Sequence, residues 1–307
     1  EAKVTAGLCN VDPATATVLT HQRTYYDGAS ALTTAPTRGN PTKVEQLVDT
    51  PTGKVFRTTA STTVDAHGRP LTVTDAKGRV TTTSYTPATG TPLRQVGTTS
   101  ADPDGAGALT AHTTTQVFDT RWGAPTSSTA PDGTVTDAAL DPLGRVTSVW
   151  LPGRAKATYP TAPSTKVAYL IQANGPNAVT TETLSPAGAY LKSVQLSDGP
   201  LRPRQTQTLP GFGTGRLVTD TLYDSRGNAV TTRGPISEPT TGPSTSVVSF
   251  TDATTPLITT QVIDGAGRVT ADITKVMGVE KWRTTTTYTG DRITVDPPDG
   301  GIPTTTI

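Results

Sequence analysis

Three histidines, one cysteine, three tryptophans and a recurrent aspartate are the groups in this chain that could do chemistry. His21, His67 and His112 are scattered over 307 residues. None stands in an HExxH, HxH or CxxC setting that would gather a metal. A Ser-His-Asp triad assembles in space, not in sequence order, but no G-x-S-x-G elbow presents a nucleophile. Cys9 is the single cysteine, which excludes an internal disulfide and a thiolate cluster, and an inert side chain is expected there. Aspartates offer more. Paired carboxylates about 5–9.5 Å apart hydrolyse glycosides, and clustered ones bind calcium. The loops DPDGAG (102–107) and DPPDGG (296–301) are the calcium candidates, although neither has the EF-hand spacing. GFGTGR (211–216) has close glycines but lacks the Lys-Ser/Thr of a phosphate loop and the third Gly of a dinucleotide fingerprint. Trp122, Trp150 and Trp282 could stack on sugar rings, with strand packing as the plainer account of each.

Most of the aspartates have one repeated setting, which points to structure before catalysis. VDAHGRPLTVT, TDAKGRVTTTS, LDPLGRVTSVW, YDSRGNAVTT and IDGAGRVTADI each hold an Asp, two free positions, a Gly and a polar residue. The pairs are Asp65 and Gly68, Asp75 and Gly78, Asp141 and Gly144, Asp224 and Gly227, and Asp264 and Gly267. An Asp opening a turn accepts hydrogen bonds from backbone N–H groups two or more residues on. Gly at the fourth place tolerates positive φ, allowing a type I turn with a bulge that closes a hairpin. The following Arg is expected to lay its stem over a neighbour and pair with the Asp of an adjacent turn. Looser copies stand at Asp119–Gly123, TAPDGTVTD (129–137) and TPTGKVF (50–56).

Those turns need strands to join. Thr fills 67 of 307 positions, with 29 Gly and 26 Pro. Thr favours strands, and Gly and Pro punctuate turns. Residues 79–86 put Val80, Thr82 and Ser84 on one face and Thr81, Thr83 and Tyr85 on the other. Apolar or aromatic residues near the turns, Val64, Tyr85, Phe118, Leu140, Tyr223, Ile263 and Tyr288, are the expected packing anchors. Their spacing near 21 residues in the best copies means two strands and two turns per unit, stacked so that neighbours satisfy each other's edges. The 26 basic and 25 acidic residues balance to +1, which provides no field to gather nucleic acid or anionic lipid. That balance, with Thr alternating against Val and Leu, also argues against disorder despite 33% hydrophobic residues. No apolar run approaches a membrane span, and no Asn-x-Ser/Thr acceptor occurs. Glu1 opens the sequence with no signal-peptide pattern, and a processed chain or a piece of a longer one is expected.

The turn motifs together resemble the YD-repeat, or Rhs-repeat, family, whose pattern is Tyr-Asp-x-x-Gly-Arg, a strand, a turn and a further aromatic. The resemblance covers most of residues 20–295, best at 60–87, 115–150, 220–233 and 260–295. One repeat region over 1–307 is expected, with an insertion or degenerate copies at 155–215. Only Tyr26-Asp27 and Tyr223-Asp224 keep the Tyr-Asp pair, and Asp27 lacks a nearby Gly-Arg. The family includes bacterial Rhs proteins, shell components of insecticidal toxin complexes, and teneurins. The resemblance implies an all-β fold, repeated hairpins stacked into a curved or spiralling sheet that forms part of a shell. It implies a non-enzymatic structural role in a secreted or surface bacterial protein that encloses or presents a toxin. The partners would be the remainder of a longer parent chain or an enclosed effector. The family's DPxGL-type self-cleavage motif is not matched. Asp141-Pro142-Leu143-Gly144-Arg145 is better read as a repeat turn, so autoproteolysis is not carried over. No cofactor is assigned. The alternative is an adhesion module binding a cell-surface glycan or protein through loops or the tryptophans.

Overall fold

A computed structural model describes residues 1–5, 18–104, 109–211 and 214–307. Cys9, the end of the 102–107 loop, and Phe212 and Gly213 lie outside the described residues. The described chain is strands and turns, with one short 3-10 turn at Asp252–Thr254. All of its strand pairings are antiparallel and join neighbours in chain order. Contacts divide it into two compact units, Glu1–Arg145 with Trp150–Thr158, and Val146–Val149 with Tyr159–Ile307.

The first unit carries β1 (Ala2–Thr5), β2 (Val18–Tyr26), β3 (Pro41–Thr50), β4 (Gly53–Val64), β5 (Pro70–Asp75), β6 (Val80–Thr86), β7 (Gln95–Thr99), β8 (Thr113–Phe118), β9 (Pro125–Thr129) and β10 (Val135–Leu140). Thr-rich alternation gives these strands two half-covered faces. In β6 the Thr81, Thr83 and Tyr85 face is the more covered one. Thr63, Thr72, Thr82, Thr99 and Thr113 stand directly opposite one another across five strands, with hydroxyl contacts of 2.7 Å (Thr63–Thr72) and 2.9 Å (Thr99–Thr113).

The second set of strands is β11 (Val146–Trp150), β12 (Thr165–Leu170), β13 (Asn177–Leu184), β14 (Tyr190–Ser197), β15 (Pro203–Thr208), β16 (Arg216–Tyr223), β17 (Ala229–Glu238), β18 (Ile258–Ile263), β19 (Val269–Val276), β20 (Val279–Thr289), β21 (Arg292–Asp296) and β22 (Thr304–Thr306). Nearly all the buried apolar residues sit here: Ala178, Val194, Leu196, Val218, Ile236, Ile258, Ala271 and Ile273. Register explains why. Ala178, Leu196, Gln205, Asp220, Arg233 and Ile258 form one cross-strand row, and Val194, Gln207, Val218 and Ile236 form the next. Both rows share one face. β16 therefore points Arg216, Val218 and Asp220 inward and leaves Leu217 exposed, against its hydrophobic order. The 155–215 stretch carries β12–β15 in the same chain-order pairing.

Candidate functional site

The repeated Asp residues are turn caps, and one hydrogen-bond pattern recurs. Asp65 donates its N–H to Arg69 O (2.9 Å) and accepts Gly68 N–H on its carbonyl (3.0 Å). Its Oδ1 accepts from His67 N (2.8 Å) and Arg69 N (2.9 Å), and its Oδ2 accepts from Arg69 Nε (2.6 Å). The same arrangement holds at Asp75–Arg79, Asp141–Arg145 and Asp264–Arg268. At Asp224 the amide of Asn228 replaces the guanidinium, donating to Oδ2 at 2.9 Å. Gly68, Gly78, Gly144, Gly227 and Gly267 have φ between +78° and +92°, the region that disfavours a Cβ. The arginine thus pairs with its own turn's Asp, not with an adjacent turn as expected. At i+4, just past the glycine, the side chain already lies beside that carboxylate.

Three further clasps escaped the motif search. Asp198–Arg202 has the same backbone bonds and both arginine bonds, lacks the other Oδ1 bond because Pro200 has no N–H, and has Leu201 in the glycine's place at φ +65°. Ser185 replaces Asp at Ser185–Ala189, where Gly188 N–H reaches Ser185 O at 2.9 Å. Asp27 also has its glycine, twelve positions on instead of three. Asp27 N–H donates to Asn40 O (2.8 Å) and Asn40 N–H to Asp27 Oδ1 (3.0 Å), with Gly39 at φ +80°. Asp27 Oδ2 also gathers Thr37 N–H, Arg38 N–H and Gly39 N–H at 2.8–3.0 Å.

These hydrogen bonds hold the carboxylates below the ordinary range. At Asp75 the Arg79 guanidinium acts first and its N–H second; at Asp264 the order is Arg268 N–H, then its guanidinium. At Asp65, Asp141 and Asp198 partial burial pushes upward and the hydrogen bonds outweigh it. The Arg121 guanidinium, then its N–H, lowers Asp119 to about 2. Asp27 lies far below the usual range through the Arg38 and Gly39 N–H groups.

The expected anchors Val64, Tyr85, Phe118, Leu140, Tyr223, Ile263 and Tyr288 are all half-buried, not core. In a single layer of paired strands each touches only one covering side. The tyrosines have a distinct role. Arg69, Arg202 and Arg268 each lie 4.3 Å above the ring of Tyr85, Tyr223 and Tyr288 on the next strand. Each phenol then donates to the carbonyl just past that arginine, at Pro70, Pro203 and Val269 (2.7–3.0 Å). Tyr223 is also the Tyr before Asp224, so it closes one turn while leading into the next. Where the pre-Asp residue ends its strand, the register shifts by one: Thr63/Val64, Val117/Phe118, Leu222/Tyr223 and Val262/Ile263. These are the bulges the glycine turn requires.

The tryptophans differ. Trp150 is 4% exposed, with Lys156 Nζ 5.0 Å from its ring, so it packs in its strand, the plainer of the two accounts, and has no face for a ligand. Trp122 is 50% exposed but lies against the Asp141 turn, where a Cβ on Gly144 would come 2.7 Å from its Cγ. Trp282 is 53% exposed and lines an open groove with Asp296, Pro297, Pro298 and Asp299. The histidines lie apart. His21 packs edge-on to Phe56 at 5.0 Å, His67 sits in its turn with Nε2 accepting Gly90 N–H at 3.4 Å, and His112 N–H bonds Ser100 Oγ at 3.1 Å. Among the described residues no group of three or more His, Cys, Asp or Glu could hold a metal ion, and no helix is long and apolar enough to cross a membrane.

Sequence reading also missed the buried polar cluster of β15–β17. Residues 239–257, between β17 and β18, run over this face as a strap. Gln205 accepts Val248 N–H (2.9 Å) and donates to Val248 O (2.8 Å). Gln207 accepts Ser244 N–H (2.9 Å) and donates to Ser246 O (2.8 Å). Two carboxamides two residues apart thus serve the strap's backbone as a neighbouring strand would. Arg216 pairs with Glu238 and bonds Gln207 Oε1 at 2.9 Å. Asp220 pairs with Arg204, and Arg233 holds Asp252 of the strap at 2.7 Å.

No protein-family model and no curated protein matches the sequence. Solved structures do match. The crystal structure of TcdB2-TccC3 superposes with a TM-score of 0.66 at 16% identity, over 92% of this chain and 17% of that one. That of TcdB2-TccC3-Cdc42 gives 0.65 at 14%, over 91% and 20%. The likeness is one of fold, an Rhs-type shell fold, and this chain spans about a fifth of the length of the chains it matches.

Proposed function

We propose that the chain is a non-enzymatic wall segment of an Rhs-like shell, part of a longer bacterial protein that acts outside the cell and encloses or presents a toxin. The observation that carries the reading is the chain-order antiparallel ladder within each unit, closed by one kind of Asp-capped turn. Such a ladder satisfies backbone groups strand by strand and extends by adding hairpins. The fold shared with far longer chains supports it. The mechanism is physical sequestration, in which a paired sheet excludes protease and solvent from what lies behind it. Asp141–Arg145, the nearest approach to a self-cleavage motif, has its carboxylate committed to Leu143 N–H, Arg145 N–H and Arg145 Nε.

Small-angle X-ray scattering on monomer of verified mass tests this. A compact chain of this length has a radius of gyration of about 19 Å. A clearly larger value with a hollow or elongated distance distribution is expected for a wall segment. A value near 19 Å would reject the wall segment.

A further inference from the structure

The five asparagines of the chain differ in what holds the side chain and in the residue that follows. Asn10 lies outside the described residues. Asn40 precedes Pro41, whose nitrogen carries no proton. Asn177 begins β13, and its Oδ1 accepts Gln172 N–H at 3.0 Å. The next residue, Ala178, is buried and held opposite Leu170 in the ladder. Asn228 closes the Asp224 turn, with Nδ2 donating to Asp224 Oδ2 at 2.9 Å. Asn174 has none of these restraints. It is exposed at the tip of the β12–β13 hairpin, and neither its carboxamide nor the Gly175 N–H has a hydrogen-bond partner among the described residues.

Gln172 braces this tip. Its N–H reaches Asn177 Oδ1, and its Nε2 donates to Pro176 O at 2.8 Å. The brace closes around Asn174 without touching it, and it also dictates the residue that follows. Gly175 stands at φ +152°, and a Cβ there would come 2.5 Å from Gln172 Nε2. The fold thus requires glycine after the one described asparagine whose side chain is free, and a glycine nitrogen has no Cβ beside it to hinder attack.

We propose that Asn174-Gly175 is a self-modifying site, which deamidates in the folded chain because this hairpin leaves it free while the fold restrains the other described asparagines. The Gly175 nitrogen loses its proton to hydroxide and attacks Asn174 Cγ. The Cγ–Nδ2 bond breaks, Nδ2 takes a proton from water and leaves as ammonia, and a cyclic succinimide remains. Water then opens either of its carbonyls and gives aspartate or isoaspartate at position 174. Water and its hydroxide are the only co-reactants. One amide becomes one carboxylate, so the formal net charge falls from +1 to 0. Isoaspartate also routes the backbone through the side-chain methylene, which lengthens the chain inside the span that Gln172 braces. The site is independent of the wall-segment reading, and either can fail without the other.

The test is peptide mapping by mass spectrometry after incubating the whole chain, folded, in mildly alkaline buffer. Conversion of the Asn174 peptide to aspartyl and isoaspartyl forms is expected, about tenfold or more ahead of the Asn177 and Asn228 peptides, whose side chains must first break a hydrogen bond. In urea those restraints vanish, so the lead of Asn174 should narrow to what glycine alone confers. Asn174→Gln should remove the acidic species that ion exchange resolves from the parent. The mapping uses the parent chain, so it decides the matter even if that variant fails to fold, which a circular dichroism melt would show. An Asn174 peptide that stays amidated in the folded chain, or converts no faster than the Asn228 peptide, would overturn the proposal. A lead equally large in urea would assign the reactivity to the dipeptide alone, with nothing contributed by the fold, and would also overturn it.

Discussion

At the scale of single residues, the turn clasp separates what its carboxylate does from what its glycine does. Leu201 shows this, since the Asp198 clasp keeps both backbone bonds and both Arg202 bonds although a leucine that is 64% exposed sits at φ +65°. A left-handed non-Gly residue costs roughly 1–2 kcal/mol, partly offset by the greater chain entropy glycine loses on folding. Leu201→Gly is therefore expected to raise the melting temperature, by about 0.5–1 kcal/mol of stability. The converse, Gly227→Val, should lower it by about 2 kcal/mol, because a Cβ there also comes 3.0 Å from Arg202 Nη1. Thermal melts of both variants decide the matter, and a Leu201→Gly melt at or below the parent's would refute the strain. D-x-x-G turns were legible in the sequence because cap and glycine are neighbours. The Asp198 clasp was hidden by one substitution, and the Asp27 clasp by intervening residues. What defines the clasp is a pair of hydrogen bonds between its ends, and no spacing rule captures that.

At the scale of elements, the strands were legible from Thr/Val alternation, but the strap was not. PRQTQT (203–208) reads as an ordinary polar strand. Nothing local shows that Gln205 and Gln207 are 1% and 0% exposed and support a segment some forty residues on. The cluster is held jointly, so one carboxamide should matter greatly. Gln207→Ala removes one partner each from Arg216, Ser244 and Ser246 at once, and should cost about 3 kcal/mol in urea unfolding. It should also expose the strap, which thermolysin would then cut near Val247 and Val248 while the rest of the chain stays intact. Unchanged cleavage would mean that Gln205 and the Arg233–Asp252 pair hold the strap without Gln207. The three candidate tryptophans show the same limit, since strand position told nothing of their very different exposure.

At the scale of the whole molecule, the clasps share one pH dependence. Their carboxylates titrate lower folded than unfolded, so their stabilisation is complete above the unfolded value of about 3.9. It is lost as pH falls through the folded values, which for Asp119 means toward about 2. Melting temperatures should thus stay level from neutral pH to about 4 and fall steeply below it. A gradual decline starting near pH 6 would contradict this. The all-β repeat architecture was legible because every copy reports it, whereas the division into two units left no mark in composition. The Asp27 clasp carries one more consequence. It closes with the same two end-to-end bonds, the Asp N–H to the last residue's carbonyl and that residue's N–H to the Asp Oδ1, although its ends are thirteen residues apart instead of four, and lengthening a closed loop costs only logarithmically. The rim turn is a socket as well as a hinge pin: what it holds together are the two strand ends, so the chain between them can be exchanged, extended or replaced by a folded insert while the ladder behind it keeps its register.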